Sequence, residues 1–265
     1  MDGSRSVRRG STGRARLVRR ELRTRTRQQA AVAALGDSAL AGAADVALFA
    51  DAARLVADNL GVEFAAILEL LPGGAALLLR AGVGWRPGLV GRATLGAGRE
   101  SHAGYAIETN HPVVIRDLAK ETRFHPPALL REHGVKSGLS VLIRRNGSHF
   151  GVLGAYTVRH RRFTADHLQF LQAVANVIGL AERRREQERV REQRALLLGR
   201  LTGREREILG LLASGLTNRQ IAERIGIGYS TVRGYVRGVI EKLDVHSEIE
   251  AVARAHALGL IDDSP

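Results

Sequence analysis

The feature that most constrains the fold is a run of three short helical patterns near the carboxyl end of the chain. Thr202 precedes the first pattern and Glu205 lies three residues later, which is the spacing of a capping box. The second pattern lies between Gly215 and Gly226, and glycine is favoured where a helix ends and the chain turns. A third helix is predicted to begin at Ser230, with valines along one side. Short helices joined by a tight glycine turn are typical of a helix-turn-helix.

The same stretch carries a family pattern. Residues 201–255 read LTGREREILGLLASGLTNRQIAERIGIGYSTVRGYVRGVIEKLDVHSEIEAVARA. This sequence resembles the LuxR/FixJ-type DNA-binding domain over its whole length, in its LTxREREIL start, its TNRQIAERI helix, its STV segment and its KL-V-S end. The resemblance implies that the helix from Ser230 enters the major groove of DNA.

The resemblance also implies which residues contact DNA. Arg233, Gly234 and Arg237 fall where such domains contact base edges, and the other candidates would hold phosphates or flank these positions. The candidate DNA-binding residues are Asn218, Arg219, Tyr229, Ser230, Thr231, Arg233, Gly234, Tyr235, Arg237 and Lys242. For the two arginines the alternative is an ordinary solvated helix face.

The third helix departs from the family at three positions. Gly234 and Gly238 stand where side chains are usual, and Tyr235 stands where histidine is common. Gly234 therefore offers no side chain for reading bases, and the target sequence cannot be transferred from relatives.

Such domains bind paired half-sites as dimers, usually through a final helix, which the sequence predicts over residues 248–258. Ile249, Val252 and Ala253 are the candidate dimer contacts. The alternative is that they pack only within their own domain.

The charge distribution limits what composition can say about DNA. The formal net charge is +13, made up of +8 in residues 1–29, +3 in residues 30–181, +4 in residues 182–204 and −2 in residues 205–265. The predicted DNA-binding domain is thus not the basic part of the chain.

Residues 1–29 hold ten arginines and little apolar periodicity. We expect a disordered basic arm there. Such an arm could add non-specific attraction to phosphates, or it could be a merely solvated start of the chain.

The middle of the chain alternates helices and strands. The predicted helices cover residues 25–35, 45–60, 102–109 and 126–132 and a long stretch after Thr164, and the predicted strands cover residues 62–71, 75–81, 112–115, 139–144 and 150–158. Four stretches, ADNLGVEFAAILELLP, LLLRAGVGW, AGYAIETNHPVVIRDLAKETRF and FGVLGAYTVRHRRFTADHLQFLQAVANVIG, resemble a GAF domain. The resemblance implies an antiparallel sheet with flanking helices and a pocket for a small molecule.

The residues expected to face that pocket are polar or aromatic. They are Trp85, His102, Tyr105, Arg116, Phe124, His125 and Tyr156. Ordinary core or loop packing is the alternative for each, and haem ligation by His102 or His125 is a further one. The chain has no cysteine, which excludes a covalently attached bilin and the cysteine-dependent methionine sulfoxide reductase reaction of some GAF domains. The ligand, and any cofactor, is unknown.

These patterns predict an α+β protein in which a GAF domain is joined by a long helix to an all-α LuxR-type domain. The predicted segments are a basic arm over 1–29, a GAF sensor over 30–182, a connecting helix over 183–199 and the DNA-binding domain over 200–262. The predicted function is a cytoplasmic, homodimeric transcription regulator that senses a small ligand. The alternative is a GAF domain that serves only for dimerisation or partner docking.

An enzyme is not expected. The sequence has no nucleotide-binding glycine loop, no metal cluster and no catalytic triad pattern, and no receiver domain for aspartyl phosphorylation. No apolar run is long enough to cross a membrane.

Overall fold

The computed structural model describes the backbone of residues 4–42 and 45–261, and the side chains of residue 19 and of residues 22–42 and 45–261. The chain forms two compact units, Met1–Arg183 and Arg184–Pro265. Among the described residues, no helix is both long enough and apolar enough to span a membrane.

The first unit is built on a six-stranded antiparallel sheet. Its strands are β1 (Phe64–Leu70), β2 (Ala76–Val83), β3 (Thr94–Gly96), β4 (Val113–Ile115), β5 (Ser137–Arg145) and β6 (Ser148–Thr157). They lie side by side in the order β3-β2-β1-β6-β5-β4. Sheet and helices together confirm the predicted α+β class. Strand β3 lies outside the predicted strands, because three residues in a glycine-rich segment are too few to show an alternation.

Both faces of the sheet are buried, each in its own core. Successive strand residues point to opposite faces, so Ile67 belongs to one core and its neighbour Leu68 to the other. Helix α2 (Asp45–Leu60) and the start of α5 (Ala165–Arg200) cover the first face. The second face is covered by α3 (His102–Thr109), α4 (Ala128–Glu132), a short 3₁₀-helix (Leu118–Lys120) and the connecting loops. The second face holds most of the candidate ligand residues.

Helix α1 (Ser4–Leu40) differs from the sequence prediction. A disordered arm is expected over residues 1–29, whereas the backbone is helical from Ser4; residues 1–3 lie outside the described part. Arginine, glutamine, alanine and leucine all favour helix, so this stretch can be helical without the apolar stripe that the prediction required. Near its end the helix packs on the first core through the buried Leu35.

The second unit is all-helical. Beyond the end of α5 it contains α6 (Gly203–Ala213), α7 (Asn218–Ile225), α8 (Tyr229–Lys242) and α9 (Glu248–Ala257). Buried aliphatic side chains of α6, α7 and α8, among them Ile208, Ile221 and Val232, pack together. A second cluster joins α8 and α9 to the end of α5 through Leu197, Val239 and Ala255. Residue 262, the predicted end of this domain, lies outside the described residues.

Candidate DNA interface and candidate ligand site

Helix α6 begins, and helix α7 ends, at the capping residues that the sequence predicts. Thr202 and Glu205 form a full capping box, in which the Glu205 carboxylate accepts the Thr202 N–H at 2.7 Å. Thr217 and Gln220 form a second one at the start of α7. Gly226 ends α7 in the left-handed conformation with φ of 68°, a backbone that favours glycine. These contacts set the tight turn between α7 and α8.

The N-cap of helix α8 lies two residues earlier than the sequence predicts. Gly228, not Ser230, is the N-cap, and it makes no side-chain capping bond. The Gly228 carbonyl accepts the N–H groups of Thr231 and Val232 at 3.0 and 3.1 Å. Ser230 therefore lies in the first turn of the helix with its side chain exposed.

Two sides of α8 differ in exposure. Val232, Val236 and Val239 are buried, which fixes the helix against α6 and α7. The side chains of Arg233 and Arg237, four residues apart, are exposed and lie one turn from each other. The residues of the first turn, Tyr229, Ser230 and Thr231, and the nearby Gly234, are exposed as well. The structure thus leaves this side of α8 exposed, and neither guanidinium group forms a hydrogen bond or ion pair with another described residue.

Lys242 lies at the other end of α8 and is held by an ion pair. Its Nζ donates to both carboxylate oxygens of Glu205, at 2.8 and 2.7 Å. Burial alone would raise the pKa of Glu205, but the hydrogen bonds from Lys242 and Thr202 outweigh burial and lower it. Glu205 therefore stays charged and ties the start of α6 to the end of α8.

Gly238 gives the space that this ion pair needs. A Cβ at Gly238 would lie 2.8 Å from the Glu205 carboxylate oxygen Oε1, closer than real Cβ atoms come. A Cβ at Gly234, in contrast, would meet nothing within 4 Å. The two glycines of α8 thus have different roles: Gly238 permits packing, and Gly234 leaves a bare patch on the exposed side.

Asn218 and Arg219, both at the start of α7, are placed differently. The Asn218 amide donates to the carboxylate of Glu248 on α9 at 2.7 Å, and its own Oδ1 is buried without a protein partner. Arg219 is exposed and forms no hydrogen bond or ion pair with another described side chain. Tyr235 is half-buried against the core of α7 and α8. Of the ten candidate residues, Asn218, Tyr235 and Lys242 are therefore engaged inside the unit.

The candidate dimer contacts on α9 also differ in exposure. Ile249 leaves 83% of its surface exposed, and Ala253 is exposed beside it. Val252 packs in part against its own unit.

In the first unit, three predicted ligand residues and a serine form a buried group beneath α3. His102 Nε2 lies 2.7 Å from the Tyr156 hydroxyl, which lies 3.1 Å from the Ser140 hydroxyl. Both His102 and Tyr156 are fully buried, and Phe124 packs beside the imidazole with ring centroids 6.1 Å apart. We call His102, Tyr156 and Ser140 the polar cluster.

Burial sets the protonation of the polar cluster. It lowers the pKa of His102 to about 4, so the imidazole is neutral at neutral pH. It also raises the pKa of the Tyr156 hydroxyl. His102 Nδ1 is buried and has no hydrogen-bond partner in the described protein. A neutral imidazole presents this nitrogen either as a donor or as an acceptor, depending on its tautomer.

Glycines make room for the aromatic side chains on the sheet. A Cβ at Gly138 or Gly154 would overlap the Tyr156 side chain. A Cβ at Gly82 would come within 2.6 Å of the Trp85 indole, whose N–H donates to the Ala65 carbonyl at 2.7 Å. Trp85 therefore has a structural partner of its own, and its ring packs 6.0 Å from that of Tyr156.

The remaining predicted ligand residues lie away from the polar cluster. Tyr105 is half-buried against Phe124. Arg116 is exposed and lines a surface recess with Lys120 and Arg123. His125 is exposed and lines another recess of about 300 Å³ beside Ser101. The structure thus brings together His102, Tyr156, Phe124 and Trp85, but not Arg116 or His125.

Sequence reasoning missed Glu205 as an ion-pair partner, Gly238 as a packing glycine and Ser140 as a cluster member. Each depends on contacts between residues distant in sequence. The unusual glycine on α8 was the one signal that could have indicated close packing. In the described part of the chain, no group of three or more histidine, aspartate or glutamate side chains could hold a metal ion.

Two families match the two units. Residues 46–182 match the GAF domain family, and residues 200–255 match the bacterial regulatory proteins of the luxR family.

Two proteins similar to this chain are transcription regulators by name. The HTH-type transcriptional activator RamA of Corynebacterium glutamicum is 35% identical over 96 residues, covering 34% of this chain and 34% of RamA. The monoamine regulon transcriptional regulator of Klebsiella aerogenes is 30% identical over 137 residues, covering 52% of this chain and 57% of that protein. The matched stretches thus span less than two thirds of either relative.

Solved structures resemble the first unit. The GAF domain of a Coxiella burnetii phosphoenolpyruvate-protein phosphotransferase aligns with a TM-score of 0.55 at 16% identity, covering 62% of this chain and 98% of that domain. The corresponding Acinetobacter domain aligns with a TM-score of 0.51 at 19% identity, covering 58% of this chain and 91% of that one. At these identities the likeness establishes the fold alone.

Proposed function

We propose that this chain, which belongs to the GAF domain family and matches the luxR family of bacterial regulatory proteins over residues 200–255, is a transcription regulator whose binding to DNA as a dimer is adjusted by a small ligand in the GAF domain. The luxR-family match supports the DNA binding, and the ligand, the dimer and the individual contacts are further parts of the proposal. We further propose that it acts in the cytoplasm, where bacterial DNA lies.

The polar cluster is the observation that supports ligand sensing. Burying a polar atom without a hydrogen bond is costly, on the order of 1–3 kcal/mol. His102 Nδ1 carries that cost in a fully buried side chain. A small polar molecule that bonds to this nitrogen would relieve it, and the remaining bonds from Tyr156 and Ser140 would hold the imidazole in place.

Arg233 and Arg237 are proposed to contact base edges, because both guanidinium groups are exposed on α8 and unpaired among the described residues. A bidentate arginine–guanine pair discriminates by about 1–3 kcal/mol. Arg219, Tyr229, Ser230 and Thr231 are proposed to hold phosphates, which fix position without reading sequence. Lys242 and Asn218 support this surface from inside the unit, since their polar groups bind Glu205 and Glu248.

Dimeric binding is proposed to use α9. The exposed Ile249 is a large apolar side chain on a helix face without a partner in the described unit. Two copies joined there would place two α8 helices on half-sites about one turn of DNA, roughly 34 Å, apart. A ligand changes this binding only if it favours one arrangement of the dimer over another.

A screen of small polar molecules by thermal shift, followed by measurement of DNA affinity, tests ligand sensing. We expect at least one compound to raise the melting temperature and to change the Kd for DNA. Tyr156→Phe removes a hydroxyl from the polar cluster and should weaken that compound's binding. Tyr105→Phe removes a hydroxyl outside the cluster and should not.

The docking alternative gives a different result. If no compound alters DNA affinity, while removal of residues 1–183 abolishes dimerisation, the GAF domain serves for assembly and the sensing proposal is wrong.

A further inference from the structure

Helix α1 carries most of its arginines on one side. An α-helix turns about 100° per residue, so positions 5, 8, 9, 16, 19, 20, 23 and 27 fall within a sector of about 120°. Eight of the ten arginines of residues 1–29 occupy these positions. We call this sector the arginine face. Glu21, the one acidic residue of positions 4–29, falls outside it.

The opposite side of α1 faces its own unit. Gln28 and Leu35 are buried, and Val32 packs against the first core. Arg25 lies outside the arginine face and pairs with Asp166 at the start of α5, where Nη2 donates to Oδ1 at 2.9 Å and Nε donates to Oδ2 at 3.3 Å. Packing therefore fixes the rotation of this end of the helix and leaves the described arginines of the face, Arg19, Arg23 and Arg27, exposed.

The described arginines of this face have no protein counter-charge. Arg19, Arg23 and Arg27 are exposed, and none forms an ion pair with another described side chain. They are spaced four residues apart, where like charges repel and destabilise a helix. A polyanion that bound this face would remove the repulsion.

The DNA-reading unit lacks the charge that DNA affinity ordinarily needs. Residues 205–265 carry seven basic and nine acidic residues, whereas sequence-independent affinity comes from lysine and arginine at phosphates. The arginine face extends from Arg5 to Arg27, roughly 33 Å at 1.5 Å per residue, which is about one turn of duplex DNA. We propose that the arginine face binds the phosphate backbone of duplex DNA and supplies sequence-independent affinity. The proposal rests on the DNA binding of the luxR-family unit and needs no ligand in the GAF domain.

The test compares two charge-matched variants of the full chain. R19Q/R23Q/R27Q removes three charges from the arginine face. R92Q/R131Q/R162Q removes three exposed arginines elsewhere on the first unit. The Kd for DNA is measured at NaCl concentrations from about 50 to about 300 mM. One duplex is selected from a random pool, and the other is its scrambled sequence.

We expect the first variant to lose up to about 2.7 from the slope of log K against log salt, since each phosphate contact contributes about 0.9. The affinity for both duplexes should fall by the same factor, so the preference for the selected duplex over the scrambled one is kept. The second variant should keep the wild-type slope, and R19K/R23K/R27K should restore most of the slope because it keeps the charge.

Three results would overturn the proposal. One is an unchanged slope in the first variant, with circular dichroism showing that its helix content is intact. Another is an equal loss in both variants, which would make net charge alone the cause. The third is that the first variant loses binding to vesicles of phosphatidylserine and phosphatidylcholine while its slope of log K for DNA against log salt is unchanged. That result would assign the arginine face to membranes. A wild-type chain that prefers no duplex would instead refute the assignment of α8, so the two failures are distinguishable.

Discussion

The two units of this protein place their functional groups in opposite environments. In the DNA-binding unit, the groups proposed to act, Arg233 and Arg237, are exposed, and buried contacts only hold their helix in place. In the GAF unit, the groups proposed to act, His102 and Tyr156, are themselves fully buried. The first arrangement suits a rigid surface that meets a large partner. The second suits a small molecule that must displace or complete internal hydrogen bonds, so altering it should also alter the stability of the unit.

The largest effect is expected where the DNA-binding unit depends on a buried charge. Glu205→Ala removes the partner of Lys242 and half of the capping box. The loss should lower the free energy of unfolding by about 3 to 4 kcal/mol, as measured by urea unfolding with hydrogen exchange of α6 to α9. Glu207→Ala breaks only an exposed pair with Arg204 and should cost at most about 1 kcal/mol. Equal effects of the two variants would show that the buried pair is not what holds α8.

The GAF unit should instead be sensitive to acid. The unfolded chain binds a proton at His102 below its ordinary pKa of 6.5, whereas the folded chain does so only near 4. Stability is therefore lost as the pH falls from about 6.5 to about 4, by about 3 kcal/mol at about 1.4 kcal/mol per pKa unit. The fluorescence of the single tryptophan, Trp85, during urea unfolding measures this change.

His102→Gln isolates that contribution from other histidines. His149 and His167 also have pKa values lowered first by burial, so the wild-type curve alone is not specific. The difference between wild type and His102→Gln should grow as the pH falls through this window. Parallel curves would contradict a buried, neutral His102.

A smaller effect is expected from one hydroxyl of the polar cluster. Tyr156→Phe leaves His102 Nε2 and the Ser140 hydroxyl without their shared partner. The free energy of unfolding should fall by about 1 to 2 kcal/mol, measured by the fluorescence of Trp85. Tyr105→Phe, on the half-buried neighbour, should change it by less than about 0.5 kcal/mol. If Tyr156→Phe were neutral, the cluster would not contribute to the fold.

The same contrast explains what could be predicted from sequence. The helix ends of the DNA-binding unit follow from residues three or four apart, such as Thr202 with Glu205, and these predictions are confirmed. The polar cluster joins α3, β5 and β6, and Ser140 has no local pattern that marks it. The ion pair between Glu205 and Lys242 spans 37 residues. Short-range rules find caps and strands, whereas sites assembled across the fold depend on register and packing.

Two errors have a common physical cause. The sequence predicts a disordered arm over residues 1–29 because this stretch lacks an apolar stripe, and it predicts a cap at Ser230 because serine favours that position. In α1 the backbone follows the helix propensity of its residues, although the apolar stripe is missing. In α8 the start of the helix follows the preceding turn, although serine favours the cap position.

Selection of bound duplexes from a random pool tests the central claim, that α8 reads DNA, most directly. The wild-type chain should enrich one sequence with two related half-sites. Arg233→Ala should relax the preference at one position of each half-site, by about 1–3 kcal/mol per base pair. Arg219→Ala should lower the affinity for all DNA sequences alike and reduce the slope of log K against log salt by about 1. A double Arg233→Ala, Arg237→Ala variant that enriched the wild-type sequence with unchanged affinity would contradict the account.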